Sequence, residues 1–220
     1  GINIGKNNNS KNYLNDYKNI IEEVQDHSDY LVINISCPNT NDFKNYQQVS
    51  NISDIIKTVS VRNKPIFLKI APNINNYLLQ NIIDLSIKNN IDGLIVSNTL
   101  LTIKGGLSGK PIEHITTDMI KKVYKLSKGK LMIIGSGGIF SGEDAYNKIK
   151  NGASLIQIYT SFIYKGPKIV YEINRELEEL LVKDGYTNIT QAIGSDVKIS
   201  NSYQEYFNNL YQYYYDYLFN

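Results

Sequence analysis

The sequence predicts an α/β fold of the (β/α)8 barrel class, incomplete here, with about six of the eight βα units. Six short β-branched apolar runs recur along the chain, and they are nearly continuous rather than alternating, as in parallel strands buried on both faces. Segments with helical spacing separate them, which indicates right-handed crossovers. Polar residues end nearly every strand, which favours a barrel, because a doubly wound sheet gathers its ligand groups at one switch point.

The predicted strands are all short. They occupy residues 2–4, 30–36, 65–71, 93–99, 131–138 and 154–160. Pro65 opens the third of them. A complete barrel needs eight strands in about 250 residues, so we expect the first two strands of the barrel to be missing from this chain.

The predicted helices lie between these strands and after the last one. They occupy residues 13–24, 49–61, 77–88, 116–126, 142–150 and 168–181. Ser141 with Asp144 forms a start signal for the fifth helix, and Thr116 ahead of Asp118 forms one for the fourth. We expect Gly129 to close that fourth helix, because glycine readily adopts the left-handed conformation that often follows a helix C-terminus.

Charge, cysteine content and hydropathy exclude several classes of protein. With 23 Lys and Arg against 21 Asp and Glu, the net charge of +2 gives no field that would recruit nucleic acid. A single cysteine excludes a disulfide scaffold. Neither a run of about 18 apolar residues nor a signal-peptide pattern occurs, so we expect this chain itself to be soluble. His27 and His114 lie away from the strand ends, and no metal site is predicted.

The C-terminal segment differs in composition from the rest of the chain. Nine of the 24 aromatic residues fall within residues 201–220. We therefore divide the chain into a barrel portion, residues 1–196, and a Tyr/Asn-rich tail, residues 197–220. The tail is expected to be either disordered or an appended helix.

The segment NISCPNT (34–40) is dense in hydrogen-bonding side chains directly after a strand. Carboxamides such as those of Asn34 and Asn39 offer a donor and an acceptor from one planar group, which suits a pyrimidine-like heterocycle. Cys37 is a candidate nucleophile or proton-abstracting base. The alternative is that Cys37 is a small buried thiol and that the asparagines form turns.

Lys69 lies near the end of the apolar strand PIFLKIA. A lysine on a buried strand is costly unless it is paired with an anion or used chemically, which favours a functional role. An ammonium group beside an electron-accepting ring would stabilise the charge that develops on reduction. A desolvated neutral amine would instead form a Schiff base. The spacing leaves both roles open.

Three glycine-rich or polar strand ends follow one another in the second half of the chain. They are GGLSG (105–109), SGG (136–138) and Tyr159-Thr160. The last two fall where barrels commonly build a phosphate site from the loops after their final strands. A phosphorylated cofactor is therefore predicted.

These motifs resemble those of the dihydroorotate dehydrogenase family, the FMN enzymes of pyrimidine synthesis. The resemblance covers about residues 1–194 in the family's order. It rests on GINIGKN (1–7), DYLVINISCPNT (29–40), LKIAP (68–72), IDGLIVSNT (91–99), GGLSGKPI (105–112), IIGSGGIFSGEDA (133–145), GASLIQIYTS (152–161), RELEELL (175–181) and AIG (192–194). It implies that residues 1–196 are the C-terminal portion of an FMN-binding TIM barrel.

The resemblance implies oxidation of dihydroorotate to orotate in de novo pyrimidine (UMP) synthesis, with removal of the C5 proton by Cys37 and hydride transfer from C6 to flavin N5. Lys69 would act beside the flavin ring as a second catalytic residue. The substrate ligands implied are Asn34, Asn39, Thr40, Asn98 and Thr99. The FMN ligands implied are Asn3, Lys69, Ser97, Ser108, Gly109, Gly137, Gly138, Tyr159 and Thr160.

Different segments of the chain resemble different classes of this enzyme family. The GGLSGKP, SNT and AIG segments are similar to the membrane-associated, quinone-using class, whereas a cysteine at position 37 is typical of the soluble class. We expect a quinone as electron acceptor, with fumarate as the alternative. The quinone class implies the mitochondrial inner membrane, with membrane association through a segment absent from this chain, and the soluble class implies the cytosol.

Two other functions remain as alternatives. The first is a Schiff-base lyase on the same barrel that uses Lys69. The second is a non-catalytic barrel remnant, which the missing strands and the aromatic tail suggest.

Overall fold

A computed structural model of the chain describes residues 1–6, 12–36, 49–59 and 63–198. Eight strands lie within these residues: β1 (Ile2–Ile4), β2 (Leu31–Asn34), β3 (Ile66–Ile70), β4 (Gly93–Val96), β5 (Leu100–Thr102), β6 (Gly105–Leu107), β7 (Met132–Ser136) and β8 (Leu155–Gln157). The helices there are α1 (Tyr13–Val24), α2 (Val49–Val59), α3 (Asn76–Lys88), α4 (Glu113–Ser127), α5 (Gly142–Lys150), α6 (Thr160–Lys165), α7 (Lys168–Lys183) and α8 (Ile189–Ala192). Short 3-10 turns cover Gln25–His27 and Lys110–Ile112.

The main sheet has six parallel strands in the order β1-β2-β3-β4-β7-β8. Each strand therefore pairs with the next sheet strand along the chain, and the order never reverses. A doubly wound sheet reverses its order at a switch point, whereas a barrel advances in one direction. The predicted α/β fold, an incomplete (β/α)8 barrel, is confirmed.

The two faces of this sheet have different chemistry. One face carries Leu31, Leu68 and Ile133, which are fully buried beneath the helices. On the other face, Asn34 is the register partner of Lys69, and Ser136 is the partner of Gln157. Because partners in a parallel ladder point to the same side, the strand ends direct several polar groups toward one mouth.

The helix boundaries confirm two of the start and stop signals and correct a third. The Ser141 side chain accepts a hydrogen bond from the backbone N–H of Asp144 at 3.2 Å and caps α5. Lys128 and Gly129, directly after α4, both have positive φ angles, of 54° and 71°. The predicted start at Thr116 is wrong, because the turn Lys110–Ile112 leads directly into a helix that begins at Glu113.

The sequence patterns did not predict three short elements. The hairpin β5–β6 lies between β4 and α4, α6 follows β8 directly, and α8 follows α7. Val197 is buried against the core, whereas the rest of the predicted tail from residue 199 onward lies outside the described residues. Among the described helices, none combines the length and the apolar character needed to cross a membrane.

Candidate active site

A cleft of about 250 Å³ opens at the carboxyl ends of β3, β4, β7 and β8. Ten residues predicted as site residues line it: Lys69, Ser97, Asn98, Thr99, Ser108, Gly109, Gly137, Gly138, Tyr159 and Thr160. These residues come from five separate segments of the sequence. The parallel barrel brings them together because the carboxyl ends of its strands all lie at the same mouth.

Glycines with positive φ angles form one end of the cleft. Gly109, Gly137 and Gly138 have φ angles of 78°, 104° and 77°. A Cβ atom on Gly138 would lie 2.3 Å from the Cα atom of Glu113, and one on Gly109 would lie 3.0 Å from Cγ2 of Thr160. Other residues would therefore strain the backbone and collide with neighbours, whereas glycine leaves backbone N–H groups free to approach a ligand.

Two hydroxyl groups lie beside these glycines. Thr160 Oγ1 donates a hydrogen bond to Ser108 Oγ at 3.0 Å, which leaves the hydroxyl hydrogen of Ser108 available to a ligand. No aspartate or glutamate lines the cleft among the described residues, while Lys69 contributes a cation. We call this end of the cleft, formed by residues 108–109, 137–138 and 159–160, the anion end. Its backbone and hydroxyl donors suit a phosphate group.

Lys69 lies in β3, which pairs with β2 on one side and with β4 on the other. Its side chain is half-buried, and burial lowers the pKa of its ammonium group below the ordinary value. In the described part of the chain, no hydrogen bond or ion pair joins that ammonium group to another residue. A desolvated cation without a partner is costly, and a ligand anion or an electron-rich ring would remove part of that cost.

A chain of hydrogen bonds orients two carboxamides near Lys69. The Asn34 Oδ1 atom accepts from Ser36 Oγ at 3.0 Å and from the Ser36 backbone N–H at 3.3 Å. The Asn98 Nδ2 group donates to the Ser36 carbonyl oxygen at 3.1 Å. Asn34 therefore keeps its amide hydrogens for a ligand, and Asn98 keeps its amide oxygen. We call Lys69, Asn34, Ser36 and Asn98 the ring end of the site.

Two of the predicted site residues in the described part of the chain, Asn34 and Asn3, are not among the residues that line the cleft. Asn34 is linked to the cleft residue Asn98 by hydrogen bonds that both make with Ser36. The exposed Asn3 lies on β1, two strands away from the strand that carries Lys69. The predicted residues Cys37, Asn39 and Thr40 lie outside the described residues.

The cleft also contains residues that sequence reasoning missed. Ile112 and Phe140 form apolar parts of its wall, and Gln157 ends β8 on the same face as Ser136. Apolar residues in loops carry no chemical signal in a sequence. Gln157, by contrast, stands at a strand end as the other candidates do, and that position could have identified it.

The parallel strands of a partial barrel, with a glycine-rich anion end and an isolated lysine at one mouth, define a (β/α)8-class protein whose cleft suits an anionic ligand. The sequence model of the family described as "Dihydroorotate dehydrogenase" matches residues 1–181. The chain belongs to this family, as its motifs indicated.

Several relatives support this membership. The chain is 37% identical to "Dihydroorotate dehydrogenase (quinone), mitochondrial" of Oryza sativa subsp. japonica, over 90% of this chain and 47% of that protein. It is 41% identical to "Dihydroorotate dehydrogenase (quinone)" of Nautilia profundicola, over 90% of this chain and 58% of that protein. The chain thus spans about half the length of the curated relatives that it matches.

A solved structure gives the same result. The crystal structure of ligand-free type DHODH from Eimeria tenella superposes with a TM-score of 0.84 at 33% sequence identity. The alignment covers 89% of this chain and 63% of that one. The fold and the family therefore agree.

Proposed function

We propose that this chain carries part of the active site of an FMN-dependent dihydroorotate dehydrogenase, which oxidises dihydroorotate to orotate in pyrimidine synthesis. The observation that carries the proposal is one cleft that joins a glycine-rich anion end to Lys69 and to the oriented carboxamide of Asn98. A flavin mononucleotide carries a phosphate group, which the anion end suits, and a ring whose reduced form a nearby cation stabilises. Family membership supports the same ligand.

The donor set fits FMN. Gly109, Gly137, Gly138, Ser108 and Thr160 are the proposed phosphate ligands, because they offer backbone and hydroxyl donors where no described carboxylate intervenes. Tyr159 lines the same end. Lys69 and Ser97 are the proposed neighbours of the flavin ring, and Asn3 remains a proposed contact from the family resemblance. When bound, FMN supplies the acceptor for the hydride that leaves C6 of dihydroorotate.

The chain's own residues supply the remaining chemistry. Cys37 is the proposed base that removes the C5 proton, a role taken from the family resemblance. Lys69 places a positive charge where negative charge develops during the reaction, and its partial burial strengthens that interaction.

The carboxamides are the proposed substrate ligands. Orotate and dihydroorotate carry ring N–H groups and carbonyl oxygens around one heterocycle. The free amide hydrogens of Asn34 match the carbonyl oxygens, and the free oxygen of Asn98 matches a ring N–H. Asn39, Thr40 and Thr99 complete the proposed set through the family resemblance.

We propose a quinone as the electron acceptor, because the relatives that match this chain are named quinone-dependent. The plant relatives from Oryza sativa and Arabidopsis thaliana are also named mitochondrial, which supports the mitochondrial inner membrane as the compartment. The alternative is fumarate as the electron acceptor, with the cytosol as the compartment.

A steady-state assay tests the activity and the acceptor together. Orotate formation is followed in the 220-residue chain with FMN and dihydroorotate, once with a soluble quinone and once with fumarate. We expect orotate with the quinone and none above background with fumarate. Turnover with fumarate alone would assign the soluble class, and no turnover with either acceptor would support the non-catalytic remnant.

A Schiff-base lyase is the second candidate, favoured by the lowered pKa of Lys69, since a neutral amine is the reactive form. Borohydride reduction in the presence of a simple keto acid tests it. Mass spectrometry would find an adduct on Lys69 if this function were correct. We expect no adduct, because the dehydrogenase uses Lys69 as a cation.

A further inference from the structure

Lys148 is fully buried, although it carries a charged side chain. It lies on α5, where Ala145 and Ile149 pack into the core on either side of it. Lysines are almost never buried completely unless they are paired or have a specific use. In the described part of the chain, no ion pair involves Lys148, so its burial calls for another explanation.

The ammonium group of Lys148 donates to three neutral oxygens in the first turn of α4. It lies 2.7 Å from Thr116 Oγ1, 2.8 Å from Thr117 Oγ1 and 3.2 Å from the Glu113 carbonyl oxygen. All three donor hydrogens of the ammonium group are thereby used. Burial lowers the pKa of Lys148 to about 8, which the carboxylates of Glu113 and Asp144 partly oppose and Lys110 reinforces.

Thr116 connects this lysine to the anion end of the cleft. Its hydroxyl lies 2.9 Å from the Glu113 carbonyl oxygen and 3.0 Å from the Gly137 carbonyl oxygen. The Glu113 oxygen already receives hydrogen bonds from Lys148 and Thr117. The Gly137 oxygen has no other donor among the described residues. The single hydroxyl hydrogen of Thr116 is therefore best assigned to Gly137.

This hydrogen bond fixes the direction of the peptide between Gly137 and Gly138. A trans peptide is planar, and its carbonyl oxygen and the following N–H point in opposite directions. With the Gly137 oxygen held against α4, the N–H of Gly138 faces away from that helix. Both glycines line the cleft, so an N–H that faces away from α4 is available to a phosphate there.

We propose that Lys148 is a positioning residue for the phosphate of the flavin, acting through Thr116 on the Gly137–Gly138 peptide. Lys148 fixes Thr116 Oγ1 as an acceptor, and Thr116 in turn holds the Gly137 carbonyl oxygen away from the ligand. The inference rests on the proposed function, because it assumes that the ligand is FMN. Lys148 itself touches no ligand.

A comparison of FMN with riboflavin tests this inference, since the two differ only by the phosphate. Both are titrated against the 220-residue chain and against Lys148→Met, with flavin fluorescence as the readout. We expect FMN affinity to fall about tenfold in the variant while riboflavin affinity changes less than about twofold. A general loss of structure would lower the affinity for FMN and for riboflavin equally, and that result would overturn the inference.

Two neighbouring threonines provide matched variants. Thr116 and Thr117 are both buried on α4, and both accept a hydrogen bond from Lys148, but only Thr116 contacts Gly137. Thr116→Val should therefore reduce the preference for FMN as Lys148→Met does, while Thr117→Val should keep it. Equal effects of the two valine variants would contradict transmission through Thr116.

The exposed Lys121 on α4 supplies a charge control, and Lys121→Met should bind both flavins as the wild type does. If Lys148→Met fails to fold, the two threonine variants carry the test. A wild type that binds neither flavin, or binds both equally, would overturn the proposed function and this inference together. A wild type that prefers FMN, with Lys148→Met and Thr116→Val keeping that preference, would overturn the inference alone.

Discussion

The anion end and the ring end of the site are built differently. At the anion end, the glycine backbone packs directly on Glu113, and the Gly137 carbonyl oxygen is bonded to Thr116. At the ring end, the carboxamides of Asn34 and Asn98 are each bonded on one side only. The ammonium group of Lys69 has no partner among the described residues.

Under the proposed function, this difference assigns phosphate binding to the anion end and the reaction to the ring end. Groups that the protein already holds in place can bind a phosphate with little reorganisation. A half-buried lysine without a partner lowers stability until a ligand supplies a charge, as is common at functional sites. Substitutions at the anion end should therefore affect both stability and flavin binding, whereas substitutions at the ring end should affect mainly the reaction.

The largest effect is expected from Cys37→Ala, which removes the proposed base. Anaerobic stopped-flow measurements should show flavin reduction by dihydroorotate slowed about 10²- to 10⁴-fold. FMN affinity should stay unchanged, because the variant leaves the anion end intact. Cys37→Ser is the matched control, and its rate of flavin reduction should fall between those of the wild type and Cys37→Ala, because a serine hydroxyl keeps a weaker proton-accepting group at this position. Rapid reduction in Cys37→Ala would transfer the role of base to another group.

Gly138→Ala tests the anion end. The positive φ angle costs about 1–2 kcal/mol for a residue with a Cβ atom, and the collision with Glu113 adds about 1–3 kcal/mol. Gly185→Ala is the matched control, because Gly185 has a similar φ angle of 80° and an added Cβ would meet no atom of the described residues within 4 Å. Urea unfolding should show the larger loss for Gly138→Ala, with lost FMN binding in that variant alone. Equal losses would show that the packing on Glu113 is unimportant.

Lys69→Met tests the ring end. Flavin reduction should slow by about tenfold, because a charge that stabilises the developing negative charge is removed. The free energy of unfolding should not fall, because burial lowers the Lys69 pKa and the charged form therefore costs stability. Urea unfolding and stopped-flow reduction together check the pair of outcomes. A destabilised variant with unchanged reduction would place Lys69 in a structural role.

The smallest effect concerns the pH dependence of stability. The folded chain releases the Lys148 proton near pH 8, whereas the unfolded chain holds it up to the ordinary pKa of 10.5. Between these values the unfolded state binds more protons, so the contribution of this group to stability rises with pH. Urea unfolding at about pH 7 and about pH 9.5 should show the wild type gaining stability relative to Lys148→Met. An equal change in the free energy of unfolding of the wild type and of Lys148→Met between these pH values would contradict the lowered pKa of Lys148.

Much of the fold and of the cleft was predictable from the sequence. The six apolar runs identified the six strands of the main sheet, because buried parallel strands need continuous apolar residues. Polar or glycine-rich strand ends identified Lys69, Asn98 and Gly138 as residues of the cleft, since the topology alone brings those ends together.

Other features depend on packing that the pattern does not show. Thr116 suggested a helix start, but its hydroxyl is used inside α4 to hold Gly137. Lys148 stands between Lys150 and Asn147 in a segment that looks like a solvated helix surface, yet it lies on the buried face with Ala145. Its spacing of three residues from Ala145 was the available signal.

The central claim is that one cleft binds both FMN and dihydroorotate, and the flavin half-reaction tests it most directly. The 220-residue chain is mixed with FMN, freed of unbound flavin, made anaerobic and scanned before and after dihydroorotate is added. We predict a bound flavin band that bleaches on addition of dihydroorotate. A chain that retains no flavin, or a bound flavin that stays oxidised, would contradict the claim.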